Sequence, residues 1–325
     1  MQIKNGSLLL FKLFGVNVYM HWSWALVAAF QIWRSQNGIF LPGNVPPPIA
    51  FSIAQYLCLF LIVLIHEFGH ALACKSVGGR AERIVLWPLG GVAFVQPPPR
   101  AGALLWSIAA GPLVNVILVP LTLVPAIMLG GFDGHHGLGP AFVAEIAAIN
   151  LGLLIFNMLP FYPLDGGQIL RALAWFIFGR SISLIIAAVV GLVGVASLAL
   201  FGLYIGDYWL FLIVGFMAMQ SIRALKAGNA MHRMDTGPRW PNARCPHCNE
   251  NPPRGAYWNC PCGMQFDTFA TIAQCPRCAR PFSATACLRC GQASPFTSWY
   301  PANTIPLPPP PPPPPIPQAP RDVFN

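Results

Sequence analysis

Long apolar segments, separated by short polar stretches, dominate the first 225 residues of the chain. A helix needs about 20 predominantly apolar residues to cross the hydrocarbon core of a bilayer. Six segments meet that requirement, so we predict an all-α polytopic membrane protein with about six transmembrane helices. The predicted spans cover residues 16–33, 51–74, 102–129, 141–160, 181–203 and 208–225.

A different pattern interrupts the helices between the second and third spans. Residues 84–87 and 92–95 are short apolar runs of β type that flank Pro88 and a Gly-Gly pair. Such runs around turn residues indicate a β-hairpin. Because its strands are too apolar for open water, we expect a small membrane-associated hairpin. Its edge, over residues 83–95, is a candidate for pairing with an added strand from another polypeptide; a hairpin that only seals a neighbouring cavity is the alternative.

The composition supports a membrane protein and excludes an ordinary soluble enzyme. Of the 325 residues, 55% are hydrophobic and only 9% are charged, whereas soluble domains average about 25% charged residues. The net charge of +9 first indicates basic cytosolic loops, by the positive-inside rule. With the N-terminus in the cytosol, Arg34 alone among the basic residues before residue 230 falls outside. We therefore predict a multi-pass membrane protein with both termini in the cytosol, and the short loops favour a prokaryotic plasma membrane.

The sharpest chemical signal is an HExxH pattern at the end of the second span, formed by His66, Glu67 and His70. Residues four apart share one face of a helix, so both histidines can bind one metal ion, and Glu67 can reach a water molecule on that metal. A glutamate inside a membrane helix costs about 3 kcal/mol on insertion scales and is functional by default. The pattern therefore predicts a metal site rather than a packing cluster.

Asp165 is the carboxylate best placed to complete that site. It follows Pro160 and Pro163, which would break span four where it approaches the cytosolic side, at the depth of the HExxH pattern. Two imidazoles and one carboxylate leave the fourth position of a tetrahedral zinc open, which is the catalytic arrangement. Glu82, in the predicted hairpin, is the weaker competitor.

Three ordered motifs make the chain recognisable. HEFGH at residues 66–70, AGPLVN at 110–115 and NMLPFYPLDGG at 157–167 together resemble the site-2 protease family of intramembrane zinc metallopeptidases. The resemblance covers roughly residues 10–225. It implies a catalytic zinc held by His66, His70 and Asp165, with zinc-bound water activated by Glu67. It also implies hydrolysis of peptide bonds in or near transmembrane segments of membrane-anchored substrate proteins.

An additional hydrogen-bond donor for the reacting carbonyl oxygen is expected from Asn157, or else from Asn115. Either asparagine can instead join helices, which is a common role of polar residues in membrane helices. Two other functions stay open. A metal transporter would need ligands spread across the bilayer, whereas these candidates cluster at one depth. An inactive protease-like scaffold is disfavoured because Glu67 is intact.

A cysteine-rich module follows the last span. Its four close cysteine pairs are typical of metal binding, and four thiolates make one closed zinc site, so we predict two structural zinc ions in a double zinc ribbon. Sequential pairing of neighbouring cysteine pairs would give two zinc ribbons; an interleaved arrangement, first with third, stays open. The eight cysteines are Cys245, Cys248, Cys260, Cys262, Cys275, Cys278, Cys287 and Cys290.

The predicted domains are therefore a metalloprotease domain at residues 1–230, a cytosolic double zinc ribbon at 231–300 and a proline-rich disordered tail at 301–325. We expect the ribbons to dock a cytosolic protein partner or a substrate. Their mild excess of arginine also suits anionic lipid headgroups, and nucleic acid is not the expected partner.

Overall fold

The computed structural model describes residues 3–4, 6–36, 48–87, 90–132, 137–206 and 210–301. The chain divides into two compact units, Met1–Ala230 and Met231–Asn325. The predicted tail, apart from Pro301, lies outside the described residues.

Helices form most of the first unit. They are α1 (Ser23–Gln36), α2 (Ile49–Ser76), α3 (Ala101–Met128), α4 (Leu138–Met158), α5 (Asp165–Ile205) and α6 (Leu210–Thr236). Among the described residues, the five helices α2 to α6 are long and apolar enough to cross a membrane. A mostly helical, polytopic fold is thus confirmed. Gly179 has non-helical backbone angles and divides α5 into residues 165–178 and 180–205.

The first predicted span, residues 16–33, differs from the prediction. Its beginning forms strand β3 (Val16–His21), and its remainder belongs to α1, which has 14 residues. Val16 and Val18 are fully buried while Asn17 between them is not. This alternation is that of a strand with one buried face. At 1.5 Å per residue α1 is about 21 Å long, shorter than the roughly 30 Å hydrocarbon core.

β3 belongs to a five-stranded sheet that is larger than the predicted hairpin. The strands lie in chain order: β1 (Ile3–Lys4), β2 (Ser7–Leu13), β3, β4 (Arg80–Trp87) and β5 (Gly90–Gln96). Neighbouring strands are antiparallel except β3 and β4, which are parallel. The hairpin is confirmed as the β4–β5 pair, and β5 forms one edge of the sheet.

The sheet packs against the C-terminal half of α2. Val18, Ile84 and Leu86 are fully buried in one cluster with Phe68 and Ala71 of that helix. Phe68 and Ala71 lie on the turns of α2 that carry the HExxH pattern. The sheet is therefore fixed beside this pattern, with its β5 edge close to Glu67.

The segment between α4 and α5 is held by a later helix. Ser221 of α6 donates a hydrogen bond through Oγ to the carbonyl oxygen of Tyr162, at 2.9 Å. The backbone N–H of Leu164 donates to the carbonyl oxygen of Phe161, also at 2.9 Å. These contacts fix the turn that ends at Asp165, the first residue of α5.

The second unit, beyond α6, has little regular structure. Its two small hairpins pair β6 (Trp258–Asn259) with β7 (Gln265–Phe266) and β8 (Ala284–Ala286) with β9 (Ala293–Pro295). Aromatic rings and cysteines share the core, in which Phe269 contacts Trp299 with ring centroids 5.0 Å apart.

Candidate active site

The two histidines of the HExxH pattern lie on one face of α2. His66 and His70 are one helical turn apart, and their Nε2 atoms are 3.1 Å from each other. Both side chains are buried, with about one twentieth of their surface exposed: 6% for His66 and 5% for His70. The uninterrupted apolar run of α2 forms a regular helix here. Residues four apart lie on the same face of such a helix, so the side chains of His66 and His70 are adjacent.

Asp165 reaches the same place from the start of α5. Its Oδ2 lies 3.0 Å from Nε2 of His66, and its Oδ1 lies 3.4 Å from Nε2 of His70. The ligand atoms of the three residues all lie within 4.8 Å of one another. The structure thus brings together the three residues that the sequence suggested as metal ligands.

The outer nitrogens of both imidazoles are engaged by α3. Nδ1 of His70 lies 3.0 Å from the carbonyl oxygen of Ser107, and Nδ1 of His66 lies 2.5 Å from Oδ1 of Asn115. Because both partners are hydrogen-bond acceptors, each Nδ1 carries the proton and donates it. Each Nε2 is then left with a lone pair directed at Asp165.

This donor set fits a metal cation. Two imidazole lone pairs and a carboxylate meet in a buried place, and the imidazole protons are used elsewhere. Such a cluster of acceptors repels itself unless a cation lies between its members. Two nitrogens and a carboxylate oxygen form one of the ligand sets known for catalytic zinc.

Glu67 is buried beside the histidines but is not part of the ligand cluster. Its Oε2 accepts a hydrogen bond from the backbone N–H of Ala93 on β5, at 2.7 Å. A Cβ atom on Gly91 would lie 2.2 Å from Cγ of Glu67, so this close approach of strand and helix requires glycine. The hairpin therefore positions the carboxylate of Glu67.

Other residues singled out from the sequence form no hydrogen bond with the three candidate ligands. Asn157 is half-buried near the end of α4, and its side chain makes no hydrogen bond to any part of the chain that the structure describes. Glu82 is exposed on β4. A further acid, Glu145 of α4, accepts a hydrogen bond from Nε2 of Gln55, at 2.6 Å.

Sequence reasoning missed three contributors to the site. Ser107 supplies its carbonyl oxygen to His70, and Asn150 binds Asn115. Gly111 packs directly against both histidines. The AGPLVN motif contains Gly111 and was the available signal for it. A backbone carbonyl leaves no sequence signal, and Asn150 is a single polar residue in an apolar helix.

The cysteines of the second unit form two groups, each with one ligand atom per residue and all four atoms within 4.8 Å. The grouping is nested and differs from both the sequential and the interleaved arrangement. The first cysteine pair joins the fourth, and the second joins the third. The groups are Cys245, Cys248, Cys287 and Cys290, and Cys260, Cys262, Cys275 and Cys278.

Local turns lower the pKa of one thiol in each cysteine group. Burial raises the pKa of Cys245, but the backbone N–H groups of Cys248 and His247 outweigh this and lower it to about 7. Burial also opposes ionisation of Cys275, whose pKa is lowered to about 6 by the N–H groups that follow it in the same way. Thiolates near neutral pH are the species that bind zinc.

Fold and site together define a polytopic membrane protein with a buried two-histidine, one-aspartate cluster that could hold a metal ion. Comparison with known proteins agrees. The family model for Peptidase M50B-like proteins matches residues 22–131, and the model for Peptidase family M50 matches residues 135–201. Together they cover more than half of the chain.

Curated relatives and a solved structure extend the comparison. Zinc metalloprotease MJ0392 of Methanocaldococcus jannaschii is 34% identical over 61% of this chain and 55% of its own length. Stage IV sporulation protein FB of Bacillus subtilis is 38% identical over 35% of this chain and 38% of its own length. The chain thus spans about half the length, or less, of these relatives. The structure of the site-2 protease from Methanocaldococcus jannaschii is similar with a TM-score of 0.50 and 29% identity, over 67% of this chain and 95% of that one. The chain belongs to the site-2 protease family.

Proposed function

We propose that the chain is an intramembrane zinc endopeptidase that hydrolyses peptide bonds in or near transmembrane segments of membrane-anchored proteins. The observation that carries the proposal is the convergence of His66, His70 and Asp165 within 4.8 Å, on helices able to span a membrane. The relatives named as zinc metalloproteases and the site-2 protease structure support the same activity.

In this proposal His66, His70 and Asp165 hold the catalytic zinc. When bound, the ion acts as a Lewis acid that polarises the scissile carbonyl and lowers the pKa of water. Glu67 lies outside the ligand set, so its carboxylate is free to accept a proton from the attacking water and to return it to the leaving amine. The hydrogen bond from Ala93, at 2.7 Å, orients the carboxylate for both transfers.

The edge of β5 is the proposed place for the substrate backbone. The N–H of Ala93 bonds to Glu67, so it points away from β4. Backbone groups alternate in direction along an antiparallel strand, and those of Val95 therefore face the same open side. A substrate segment that unwinds and pairs there would bring its peptide bonds next to Glu67.

Asn157 is the proposed donor to the oxyanion that develops on the substrate. Its position near the end of α4, without a partner in the described chain, leaves its amide available. Removal of one such donor typically lowers kcat by about 100-fold to 1,000-fold. Asn157→Ala should therefore lose activity and keep its zinc.

A metal transporter is the alternative from another class. Transport requires successive ligands across the bilayer, whereas the three candidate ligands in the membrane unit form a single cluster. An inactive scaffold is also less well supported, because Glu67 is present and its carboxylate is oriented by β5.

The connectivity of the sheet supports a sixth crossing and cytosolic termini. β3 pairs with β4, which follows the C-terminal end of α2, so the chain leaving His21 must reach the opposite end of α2 by Ile49. α2 has 28 residues and is about 42 Å long. A return of that length, begun by α1, crosses the bilayer. The basic residues Lys75 and Arg80 favour a cytosolic location for the sheet side, and the proposed location is a prokaryotic plasma membrane.

Each cysteine group is proposed to hold one structural zinc ion, for a total of three zinc ions per chain. Closed four-thiolate sites stabilise small modules that lack a sizeable core. We propose that this double zinc ribbon docks a cytosolic protein, either a partner or a substrate.

Zinc content and cleavage together test the proposal. Elemental analysis of the detergent-purified chain should find three zinc ions, falling to two in His66→Ala/His70→Ala. A membrane-anchored reporter should be cleaved by the wild type but not by Glu67→Gln. Equal zinc content in wild type and the double histidine variant would overturn the proposed metal site. Metal flux into vesicles that persists in Glu67→Gln would favour the transporter.

A further inference from the structure

The two metal-facing histidines are supported by chemically different partners. Nδ1 of His70 faces a backbone carbonyl, that of Ser107, at 3.0 Å. A carbonyl can only accept, so it fixes the proton of His70 on Nδ1. His66 instead faces the side-chain amide of Asn115. An amide offers an acceptor at one end and a donor at the other, so by itself it permits either tautomer.

The direction of the Asn115 amide decides whether His66 can bind a metal. With Oδ1 facing the ring, Nδ1 carries the proton and Nε2 has a free lone pair. With the NH2 group facing the ring, Nδ1 becomes the acceptor and the proton moves to Nε2. Nε2 lies 3.0 Å from Oδ2 of Asp165, so this second tautomer forms a hydrogen bond that closes the site without metal.

Asn150 of α4 selects between these two directions. Its Oδ1 accepts a hydrogen bond from Nδ2 of Asn115 at 2.8 Å, and its own Nδ2 donates to the backbone oxygen of Asn115 at 3.2 Å. The second bond fixes the orientation of Asn150, and the first then requires the NH2 group of Asn115 to point away from His66. Both asparagines have 0% exposed surface, so water does not compete for these bonds.

We propose that Asn150 is a positioning residue that keeps His66 in its metal-binding tautomer, by way of Asn115. The inference rests on the proposed zinc site. It links α4 to α2 through α3 by a chain of side-chain hydrogen bonds, and it assigns a function to a buried residue that touches no metal ligand. Outer partners of this kind typically change metal affinity by about 10-fold to 100-fold.

Zinc affinity of the full-length chain in detergent tests the proposal. Elemental analysis after equilibration in buffers of defined free zinc gives bound zinc per chain, and His66→Ala/His70→Ala gives the contribution of the cysteine groups, which is subtracted. Asn150→Leu should shift the midpoint for the remaining zinc to at least about tenfold higher free zinc. Asn157→Leu, the same substitution on the same helix, should leave the midpoint unchanged.

Two further variants separate positioning from packing. In Asn150→Asp, a buried neutral carboxylic acid has one donor and one acceptor and can form both bonds to Asn115, so affinity should return to within about threefold of wild type. The aspartate side chain of Asn115→Asp presents an oxygen to His66 whichever way its carboxyl group is turned. In that background Asn150→Leu should no longer alter the midpoint.

The outcomes distinguish the possible failures. An unshifted midpoint in Asn150→Leu overturns the positioning role, and so does a shift that persists in the Asn115→Asp background, because packing would then be the cause. If wild type binds no more zinc than His66→Ala/His70→Ala at any concentration, the proposed catalytic zinc itself fails.

Discussion

A methyl group added at Gly111 of α3 should abolish metal binding at the histidines without preventing the protein from folding. A Cβ atom at this position would lie 2.3 Å from both Cε1 and Nε2 of His70, and 2.8 Å from Nε2 of His66. The two Nε2 atoms are the ones proposed to bind the metal. The substitution Gly111→Ala therefore places a methyl group against the ligand atoms themselves.

The size of the effect follows from these distances. Non-bonded heavy atoms are in favourable contact at about 3.5 Å or more, so the ring of His70 must move by about 1 Å. Metal–ligand distances tolerate about 0.2 Å, and a misplacement of about 1 Å costs roughly 100-fold in rate. We expect at least that loss in kcat/KM, which is about 2.7 kcal/mol. Alanine is meanwhile the better helix former by about 1 kcal/mol, so α3 should persist.

The assay combines zinc analysis with cleavage of a membrane-anchored reporter. Gly102→Ala is the matched control, because its Cβ would meet only Phe176 on the same criterion, at an ordinary 3.9 Å. Gly111→Ala should lose the zinc that His66→Ala/His70→Ala loses, with an unchanged circular dichroism spectrum, while the control keeps both zinc and activity. Full zinc content and normal cleavage in Gly111→Ala would refute the contact argument.

Three more predictions concern the carboxylate, the hairpin and the ribbons. Glu67→Gln should retain all zinc and lose activity by about 100-fold to 10,000-fold, since it removes only the proton acceptor; loss of zinc would make Glu67 a ligand. Gly91→Ala should displace Glu67, which its Cβ would meet at 2.2 Å, and lower kcat with zinc unchanged; normal kcat would show that the hairpin does not position the carboxylate. Replacing Cys260 and Cys262 with serine should expose Cys275 and Cys278 to alkylation, mapped by mass spectrometry, and leave Cys245 and Cys248 protected. Alkylation of Cys245 and Cys248 instead would support sequential pairing.

Hydropathy located the long helices but not the sheet. Five predicted spans correspond to helices α2 to α6. Their apolar runs are long enough that a helical prediction is unambiguous. Residues 16–33 were also apolar, so the period-two burial of Val16 and Val18 was hidden by the helix that follows. Pairing of β3 with β4 joins segments on either side of α2, and no local pattern indicates such a distant contact.

The convergence of the three candidate ligands was predictable because their geometry is local or their chemistry is rare. His66 and His70 lie one turn apart, and Asp165 is an acid beside helix-breaking residues. The residues that orient them were harder to find. Asn115 was ranked below Asn157, although Asn115 bonds to His66 and is fully buried. An asparagine in a membrane helix has the same sequence signal whether it orients a ligand, binds a substrate or joins two helices.

The nested cysteine pairing shows why spacing could not decide between metal arrangements. Sequential pairing would close shorter loops, and loop-closure entropy slightly favours it. Aromatic packing acts in the other direction. Phe266 and Phe282 pack with ring centroids 5.4 Å apart beside Cys260 and Cys275, which draws the second and third pairs together. The N–H of Arg244 donates to the carbonyl oxygen of Trp299 at 2.7 Å, which ties the start of the module to its end and brings the first pair to the fourth.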